Sequence, residues 1–128
     1  MELNQITDVI IGSAIEVHRT LGGPGLLESV YEECLVMELH ERGMKVVRQL
    51  ELPVIYKNKS TQSKYRIDLL VEDRVIVECK ATSEFNNIFK AQLLTYLRLS
   101  KLQLGLILNF GEKALKDGIY RVVNQLQE

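Results

Sequence analysis

The stretch RIDLLVEDRVIVECKA, residues 66–81, has the pattern of two apolar strands joined by a short charged turn. Asp68, Glu78 and Lys80 stand inside these runs, where Leu, Ile and Val surround them. Burying an unpaired charge costs far more free energy than a single apolar contact returns. These three side chains must therefore be solvated, paired with one another or bound to a ligand.

The register of the two strands decides where the charges lie. If the turn has three residues, Val71 lies opposite Val75, and Asp68 lies directly opposite Glu78. Side chains alternate along a strand, so Glu78 and Lys80 share one face of the sheet. A turn one residue shorter or longer would place the two carboxylates on opposite faces. The same register predicts four further pairs: Leu70–Ile76, Leu69–Val77, Ile67–Cys79 and Arg66–Lys80.

Directly opposed carboxylates destabilise a sheet unless a cation lies between them. Two acidic oxygens, a backbone carbonyl and waters suit a hard ion such as Mg²⁺. Lys80 would point into the same site, where it could orient a water or stabilise charge on a phosphate. The alternative is a solvated sheet face on which Arg66, Asp68, Glu78 and Lys80 pair with one another. These residues alone leave both interpretations open.

Outward from this hairpin, the apolar periodicity predicts three helices and five strands. The helices are expected over residues 4–21, 26–42 and 86–99, with Asn4 as the first N-cap and Gly43 ending the second. The strands are expected over residues 45–56, 64–71, 74–81, 104–110 and 119–123. KNKSTQS, residues 57–63, has the composition of a polar turn, and Pro53 suits an edge strand or a bulge.

The order of these elements predicts the fold class. Strand 74–81, the third helix and the nearly all-apolar strand 104–110 form a βαβ unit, which implies two parallel strands and a right-handed crossover. The fold is therefore predicted to be α/β, with a mixed β-sheet flanked by helices in the order ααβββαββ.

Composition limits the classes of function. The chain has 128 residues, 46% hydrophobic and 26% charged, which predicts one domain over residues 1–128. Sixteen Lys and Arg against seventeen Asp and Glu give a net charge of -1, so any nucleic acid must meet a local basic surface. The chain has no apolar run long enough to span a membrane and no leader pattern, and Cys34 and Cys79 do not suggest a disulfide framework. A reducing, cytoplasmic setting without a membrane is expected.

Two helical segments carry further polar residues at one-turn spacing. Glu28 lies early on the second helix, with Tyr31 one turn later; an acid in this position also simply favours the helix dipole. Gln92 and Tyr96 share a face of the third helix. They could belong to a functional site, or they could simply lie at the solvent-exposed edge of the helix. His18 and His40 have no metal-ligand spacing and are expected to be surface or ordinary hydrogen-bonding residues.

The β-hairpin has a basic bias. Lys57, Lys59, Lys64 and Arg66 stand close together, with Arg48 nearby in sequence. Such a group predicts either a surface that follows a phosphate backbone or a solvated loop.

Taken together, these residues resemble the PD-(D/E)XK nuclease superfamily, and more closely its small members, the GxxExxY proteins. The ECK sequence of residues 78–80 matches the (D/E)XK element, with Asp68 as the acid of the preceding strand. The other matches are GLLESVY, with Gly25, Glu28 and Tyr31, and QLLTY, with Gln92 and Tyr96, which is similar to the Gln-x3-Tyr helix motif of the RecB-like branch.

The resemblance implies a restriction-endonuclease-like sheet and a metal-dependent site. Asp68, Glu78 and the backbone carbonyl of Cys79 would ligate Mg²⁺ or Mn²⁺, and Glu28 would reach the ion directly or through water. Lys80 would orient or activate the attacking water. Gln92 and Tyr96 would position catalytic residues or contact the phosphate backbone. Substrate contacts are expected from Tyr31, Arg66, Lys57, Lys59 and Lys64.

The predicted function is divalent-metal-dependent hydrolysis of phosphodiester bonds in nucleic acid, with DNA favoured over RNA. The alternative is a catalytically silent module of the same fold that binds nucleic acid or assembles with proteins. The apolar stripe of the first helix is expected in the core, although a homodimer formed through it stays open.

Overall fold

The computed structural model describes residues 1–125, so the end of the expected domain, residues 126–128, lies outside this part. Its elements, in chain order, are α1 (Leu3–Thr20), α2 (Glu28–Glu41), β1 (Val46–Tyr56), β2 (Lys59–Val71), β3 (Val75–Lys80), α3 (Ile88–Ser100), β4 (Leu104–Asn109) and β5 (Ile119–Val123). A short 3₁₀ turn, Leu115–Gly118, precedes β5. Within the described residues, no helix is both long and apolar enough to cross a membrane.

The five strands form one sheet in the order β1-β2-β3-β4-β5. β3 and β4 are parallel, and the other neighbouring strands are antiparallel. The mixed sheet, the order of elements and the βαβ unit predicted from the sequence are thereby confirmed. β4 is buried along its whole length, as its apolar run predicts.

Helices cover both faces of the sheet and bury two separate apolar cores. Ile6 and Ile10 of α1 pack with residues of α2 on one face, and Leu93 and Leu97 of α3 pack on the other. The apolar stripe of α1 therefore belongs to the core, as expected. It is not available for the homodimer contact that the sequence left open, because its side chains already face the sheet.

The β1–β2 hairpin is longer than the sequence suggested. The predicted seven-residue polar turn is a two-residue turn, Lys57 and Asn58, with φ values of 48° and 65°. Two consecutive positive φ values define the tight turn that best matches strand twist. β2 consequently begins at Lys59, five residues before the predicted start. β1 is an edge strand with a register shift just after Pro53, which confirms the interpretation of that proline.

The N-cap of α1 differs from the prediction. The helix begins at Leu3, and Glu2 rather than Asn4 precedes it. Glu2 and Gln5 form a capping box, in which the Glu2 N–H donates to Gln5 Oε1 at 2.8 Å. Gly43, with φ at 78°, follows the end of α2 as expected.

One irregularity in the hairpin has consequences for the site. The β1–β2 ladder pairs residues on both sides of Gln49 and Asp68 but leaves these two unpaired, and Gln49 has φ at 54°. Leu69 packs in the α1–α2 core, whereas Ile67 packs in the α3 core. Residues two apart in a regular strand share a face. The hairpin therefore exchanges its faces at Gln49 and Asp68: from here toward the hairpin tip, side chains of β2 that would face α1 and α2 in a regular strand face α3 instead.

Candidate active site

The β2–β3 register is the one predicted, but the ladder is shorter. Leu69 pairs with Val77, Leu70 with Ile76 and Val71 with Val75, across a three-residue turn. The further pairs predicted in this register are absent from the ladder of these described strands: Asp68 with Glu78, Ile67 with Cys79 and Arg66 with Lys80. The reason is that the Asp68 side chain accepts the Cys79 N–H that would otherwise continue it.

Asp68 and Glu78 are linked by a crossed pair of hydrogen bonds. The Asp68 N–H donates to Glu78 Oε2 at 2.8 Å, and the Cys79 N–H donates to Asp68 Oδ2 at 2.8 Å. Each carboxylate thus lies against the backbone of the opposite strand, where the strands separate. The Cys79 carbonyl points to the side of β3 that its N–H faces, which is the side of Asp68.

The protein strongly disfavours two negative charges at this position. Burial, followed by the charge of Asp68, raises the pKa of Glu78 to about 8. Burial also raises the pKa of Asp68 to about 6, although the hydrogen bond from Cys79 opposes this shift. Glu78 is only 7% exposed, and a hydrogen bond between the two carboxyl groups favours its protonated form. Both carboxyl groups are therefore harder to ionise here than in water, and a nearby cation would favour their charged forms.

Lys80 lies next to this pair and is held by an aromatic ring. Its Nζ is 4.6 Å from the centroid of the Phe89 ring on α3. Its charge lowers the pKa of both Asp68 and Glu78, so it faces the carboxyl groups. The alternative in which the four charged residues pair with one another is not observed in the described structure, because Arg66 contacts Glu51 at 3.8 Å.

Tyr31 is fully buried and fastens the Gly-rich loop before α2. Its hydroxyl donates to the Gly23 carbonyl at 2.7 Å and accepts the Leu26 N–H at 3.2 Å. Its ring stacks on Phe110, with centroids 4.7 Å apart. The predicted contact of Tyr31 with substrate does not fit this placement, because the side chain has no exposed surface. Its contacts position the start of α2 instead.

Glu28 is the first residue of α2 and reaches the end of β3. Burial raises its pKa, while the charge of Lys80 and a hydrogen bond with the backbone of Ala81 oppose that shift. Within residues 1–125, however, no three His, Cys, Asp or Glu side chains are arranged to hold a metal ion together. The charge of Glu28 adds to the raised pKa of Asp68, so Glu28 lies near the Asp68–Glu78 pair.

Tyr96 of α3 lies near the carboxyl pair, on the α3 side of the sheet. Burial raises the pKa of its phenol, and the nearby Glu78, Tyr65 and Asp68 add to the shift. The rings of Tyr65 and Tyr96 are in contact, with centroids 5.3 Å apart. Gln92, one turn earlier on α3, is exposed. The structure therefore brings Tyr96 to the site and leaves Gln92 at the surface.

The basic residues of the hairpin are exposed, but two of them meet an acid. Lys64 Nζ lies 3.3 Å from Glu51, the same carboxylate that Arg66 contacts. Lys57 and Lys59 flank the tip, where Lys57 Nζ lies 5.4 Å from the Tyr56 ring. The hairpin therefore concentrates its unneutralised positive charge at its far end.

Sequence reasoning missed Glu32, a buried acid one turn after Glu28. Glu32 is 5% exposed and accepts hydrogen bonds from Arg48 Nε at 2.6 Å and from Gln49 Nε2 at 2.9 Å. The four-residue spacing from Glu28 was the available signal. Through Gln49, Glu32 connects α2 to the position where the hairpin exchanges its faces. His18 is likewise internal, with Nε2 2.9 Å from the Glu112 carbonyl, which agrees with an ordinary hydrogen-bonding residue.

Comparison with known proteins identifies the family. A family model described as the PD-(D/E)XK nuclease superfamily matches residues 4–122. This chain belongs to the PD-(D/E)XK nuclease superfamily. Its five-stranded mixed sheet, with two helices on one face and one on the other, is the restriction-endonuclease-like arrangement of that superfamily.

Other comparisons bear on the fold alone. A search among curated proteins gave no significant match. The crystal structure of SSO0001 is similar, with a TM-score of 0.60 and 18% sequence identity over 78% of this chain and 52% of that one. The chain thus spans about half the length of SSO0001.

Nucleases of the superfamily generally use divalent metals, and the residues present here fit such an ion. Asp68, Glu78 and the Cys79 carbonyl offer hard oxygen donors from one side of a strand pair, which suit Mg²⁺ or Mn²⁺. Burial raises the pKa of both carboxyl groups and so disfavours their charged forms. A divalent cation between them would favour the charged forms.

Proposed function

We propose that this protein is a divalent-metal-dependent nuclease that hydrolyses phosphodiester bonds in nucleic acid. The observation that carries the proposal is the crossed arrangement of Asp68 and Glu78 where two strands separate, with Lys80 on the Glu78 face. A sheet that only needed to fold would gain stability from apolar residues at these positions, because buried like charges are costly.

In this proposal, Asp68, Glu78 and the Cys79 carbonyl hold Mg²⁺ or Mn²⁺. When bound, the ion supplies positive charge that stabilises the reacting phosphate. The Lys80 ammonium donates hydrogen bonds, and it orients the attacking water and stabilises negative charge that develops on the phosphate. Its contact with Phe89 holds it on the α3 side of the sheet, where Glu78 also points.

The remaining residues position these groups or contact substrate. Glu28 holds a water near the ion, and its position depends on the Tyr31 contacts with the loop before α2. Tyr96 lies beside the carboxyl pair, with Gln92 on the same face of α3 to contact the phosphate backbone. Exposed cations on the hairpin would bind phosphates further along the substrate: Lys57, Lys59, Lys64 and Arg66.

We also propose that the chain belongs with the small GxxExxY members of the superfamily. Gly25 has φ at 115°, a conformation that side chains other than glycine rarely adopt. Glu28 begins α2 three residues later, and Tyr31 fastens the loop between them. The three motif positions thus have one physical purpose, which is to place Glu28 at the end of β3. DNA rather than RNA as substrate and a cytoplasmic setting remain predictions, as does a homodimer, for which the buried α1 stripe does not provide the contact.

A cleavage panel tests the proposal. End-labelled DNA and RNA, single-stranded, duplex and branched, would be incubated with Mg²⁺ or Mn²⁺ and with wild type, Lys80→Ala or Lys45→Ala. Lys45 is an exposed lysine that pairs with Asp73 and serves as the matched control. We expect cleavage by wild type and Lys45→Ala and a loss of about 100-fold or more in Lys80→Ala.

The alternative function, a catalytically silent module of the same fold, predicts a different result. Wild type would then bind nucleic acid without cutting any substrate of the panel. Equal cutting by wild type and Lys80→Ala would instead indicate a contaminating nuclease and would contradict the proposed role of Lys80.

A further inference from the structure

An exposed tyrosine stands beside the carboxyl pair without a role in the proposed chemistry. Tyr65 on β2 is 43% exposed, and its ring contacts that of Tyr96 at 5.3 Å between centroids, with 50° between the planes. Glu78 and Asp68 add to the raised pKa of the same Tyr96, so Tyr65 and the two carboxyl groups each lie near that phenol. An aromatic surface is therefore open to solvent next to the candidate metal ligands.

Tyr65 reaches this location because of the face exchange in the hairpin. In an unbroken strand, Tyr65 would share the face of Leu69, which packs against α1 and α2. Beyond Asp68 the faces are exchanged, so Tyr65 lies on the α3 side with Glu78 and Lys80. The irregularity that frees Asp68 from the ladder thus also brings an aromatic ring to the same site.

A second group of aromatic rings, on the other side of β3, contacts the ammonium groups of two lysines. Phe85 stacks on Tyr120 at 3.8 Å and meets Phe89 edge to face at 5.3 Å. Lys90 Nζ lies 5.0 Å from the Tyr120 centroid, and Lys80 Nζ lies 4.6 Å from that of Phe89. Cation–π contacts of this length hold ammonium groups in place. These ring faces are therefore occupied by the two cations.

These features belong to successive strands on the side of the sheet that α3 packs against. Tyr65 lies on β2, Lys80 ends β3, and Tyr120 with its associated Lys90 lies at β5. An aromatic platform, the carboxyl pair and two fixed cations thus follow one another from β2 to β5. Alternating rings and cations beside a backbone-binding surface are the pattern of single-strand recognition.

We propose that this face binds a single-stranded segment of nucleic acid, with one unpaired base stacked on Tyr65 and backbone phosphates on Lys80 and Lys90. The inference rests on the proposed function and names its substrate class. A base inside a duplex has both faces covered by its neighbours, so stacking on Tyr65 requires an unstacked nucleotide. Stacking does not depend on the sugar, so single-stranded DNA and RNA both satisfy the contact.

Binding in EDTA tests the base contact without cleavage. Single-stranded DNA and RNA oligonucleotides carrying 2-aminopurine at successive positions would be titrated with wild type, Tyr65→Phe and Tyr65→Leu. We expect fluorescence quenching at one position with wild type and Tyr65→Phe, which keep the ring. Tyr65→Leu should lose that quenching and bind roughly 5- to 150-fold more weakly, as expected for one lost stacked base.

An abasic nucleotide at the quenched position provides the matched control. It should weaken wild-type binding as much as Tyr65→Leu does, and combining the two changes should add little, because both remove the same contact. Lys90→Gln tests the phosphate contact separately. It should lower the slope of log affinity against log salt by about 0.7, the value for one phosphate of a single strand.

Three results would overturn the inference. These are equal or tighter binding of duplex, unchanged affinity and quenching in Tyr65→Leu, or no binding of single strands by wild type. Cleavage in the substrate panel together with an unaffected Tyr65→Leu would refute this inference and leave the nuclease proposal intact. Tyr65-dependent binding without any cleavage would support the binding face and refute the proposed catalysis.

Discussion

At the scale of single residues, the Asp68–Glu78 pair links the stability of the protein to pH. The pKa values of the folded state, about 6 and about 8, exceed the ordinary values of 3.8 and 4.5. Between the ordinary pKa values and those of the folded state, the folded protein binds more protons than the unfolded protein. The free energy of unfolding therefore falls as pH rises through this range. The contribution of the pair is fully present below about pH 4 and is lost as pH rises through about 8.

We therefore predict that Mg²⁺ or Mn²⁺ raises the melting temperature more at pH 8 than at pH 5, because the metal replaces a proton that is already leaving. Calorimetry across this pH range, with and without metal, measures the effect. Glu78→Gln should lose most of the metal-dependent shift, whereas Glu51→Gln, at an exposed acid of β1, should keep it. An equal shift at both pH values would contradict the assignment of these ligands.

Two glycines in different surroundings give opposite predictions for the same substitution. A Cβ on Gly111 would lie 2.2 Å from the backbone oxygen of Thr82, so Gly111→Ala should lower the free energy of unfolding by about 2 kcal/mol or more. A Cβ on Gly12 of α1 would meet only the end of Arg42 at 3.0 Å. Gly12→Ala should then raise the free energy of unfolding by up to about 1 kcal/mol, because alanine has a higher helix propensity than glycine. Urea titration of both variants checks the contrast.

At the scale of elements, the start of α2 depends on one buried hydroxyl. Tyr31→Phe keeps the ring that stacks on Phe110 but leaves the Gly23 carbonyl and the Leu26 N–H without this partner. We expect a loss of about 1–3 kcal/mol in the free energy of unfolding. Because Glu28 follows the same loop, the nuclease activity should also fall. Full activity in a destabilised Tyr31→Phe protein would show that the position of Glu28 does not limit catalysis.

The sequence predicted elements well where periodicity and turn length decide the structure. The β2–β3 register followed from apolar alternation and a three-residue turn, and the pairing of Val71 with Val75 confirms it. Prediction from the sequence failed where an unusual backbone conformation determines the structure. Neither the positive φ of Gln49 nor the two-residue turn at Lys57 has a strong sequence signal, because neither position is glycine. Hence the face exchange, and with it Tyr65, was not foreseen.

At the scale of the whole molecule, the net charge of -1 gives no overall attraction to nucleic acid, so binding must depend on local basic surfaces. We predict that Lys57→Glu combined with Lys59→Glu, at the hairpin tip, weakens nucleic-acid binding and lowers the log–log salt slope by about 1.4, which is about 0.7 for each phosphate of a single strand. Melting temperature should change little because both side chains are exposed. Arg98→Glu combined with Lys101→Glu, at the other end of the sheet, is the charge-matched control. Equal effects of both pairs would indicate non-specific attraction.

The whole-molecule fold was predictable because its layers follow from patterns that extend over entire elements. The nearly all-apolar β4 required helices on both faces, and the βαβ unit fixed the direction of β3 and β4. The candidate site was predictable to the extent that it lies on those regular elements, as Glu78 and Lys80 do. Glu32, Phe89 and Tyr65 act through tertiary contacts between distant segments, which local spacing does not reveal.

The most direct test of the central claim is the cleavage rate of a labelled oligonucleotide as a function of Mg²⁺ or Mn²⁺ concentration. It would be measured for wild type, Asp68→Asn and Asp73→Asn, the last being an exposed aspartate in the turn between β2 and β3. We predict a rate that saturates with metal for wild type and Asp73→Asn, and a loss of about 100-fold or more for Asp68→Asn. Cleavage without added metal in the presence of EDTA, or equal rates for all three proteins, would contradict the account.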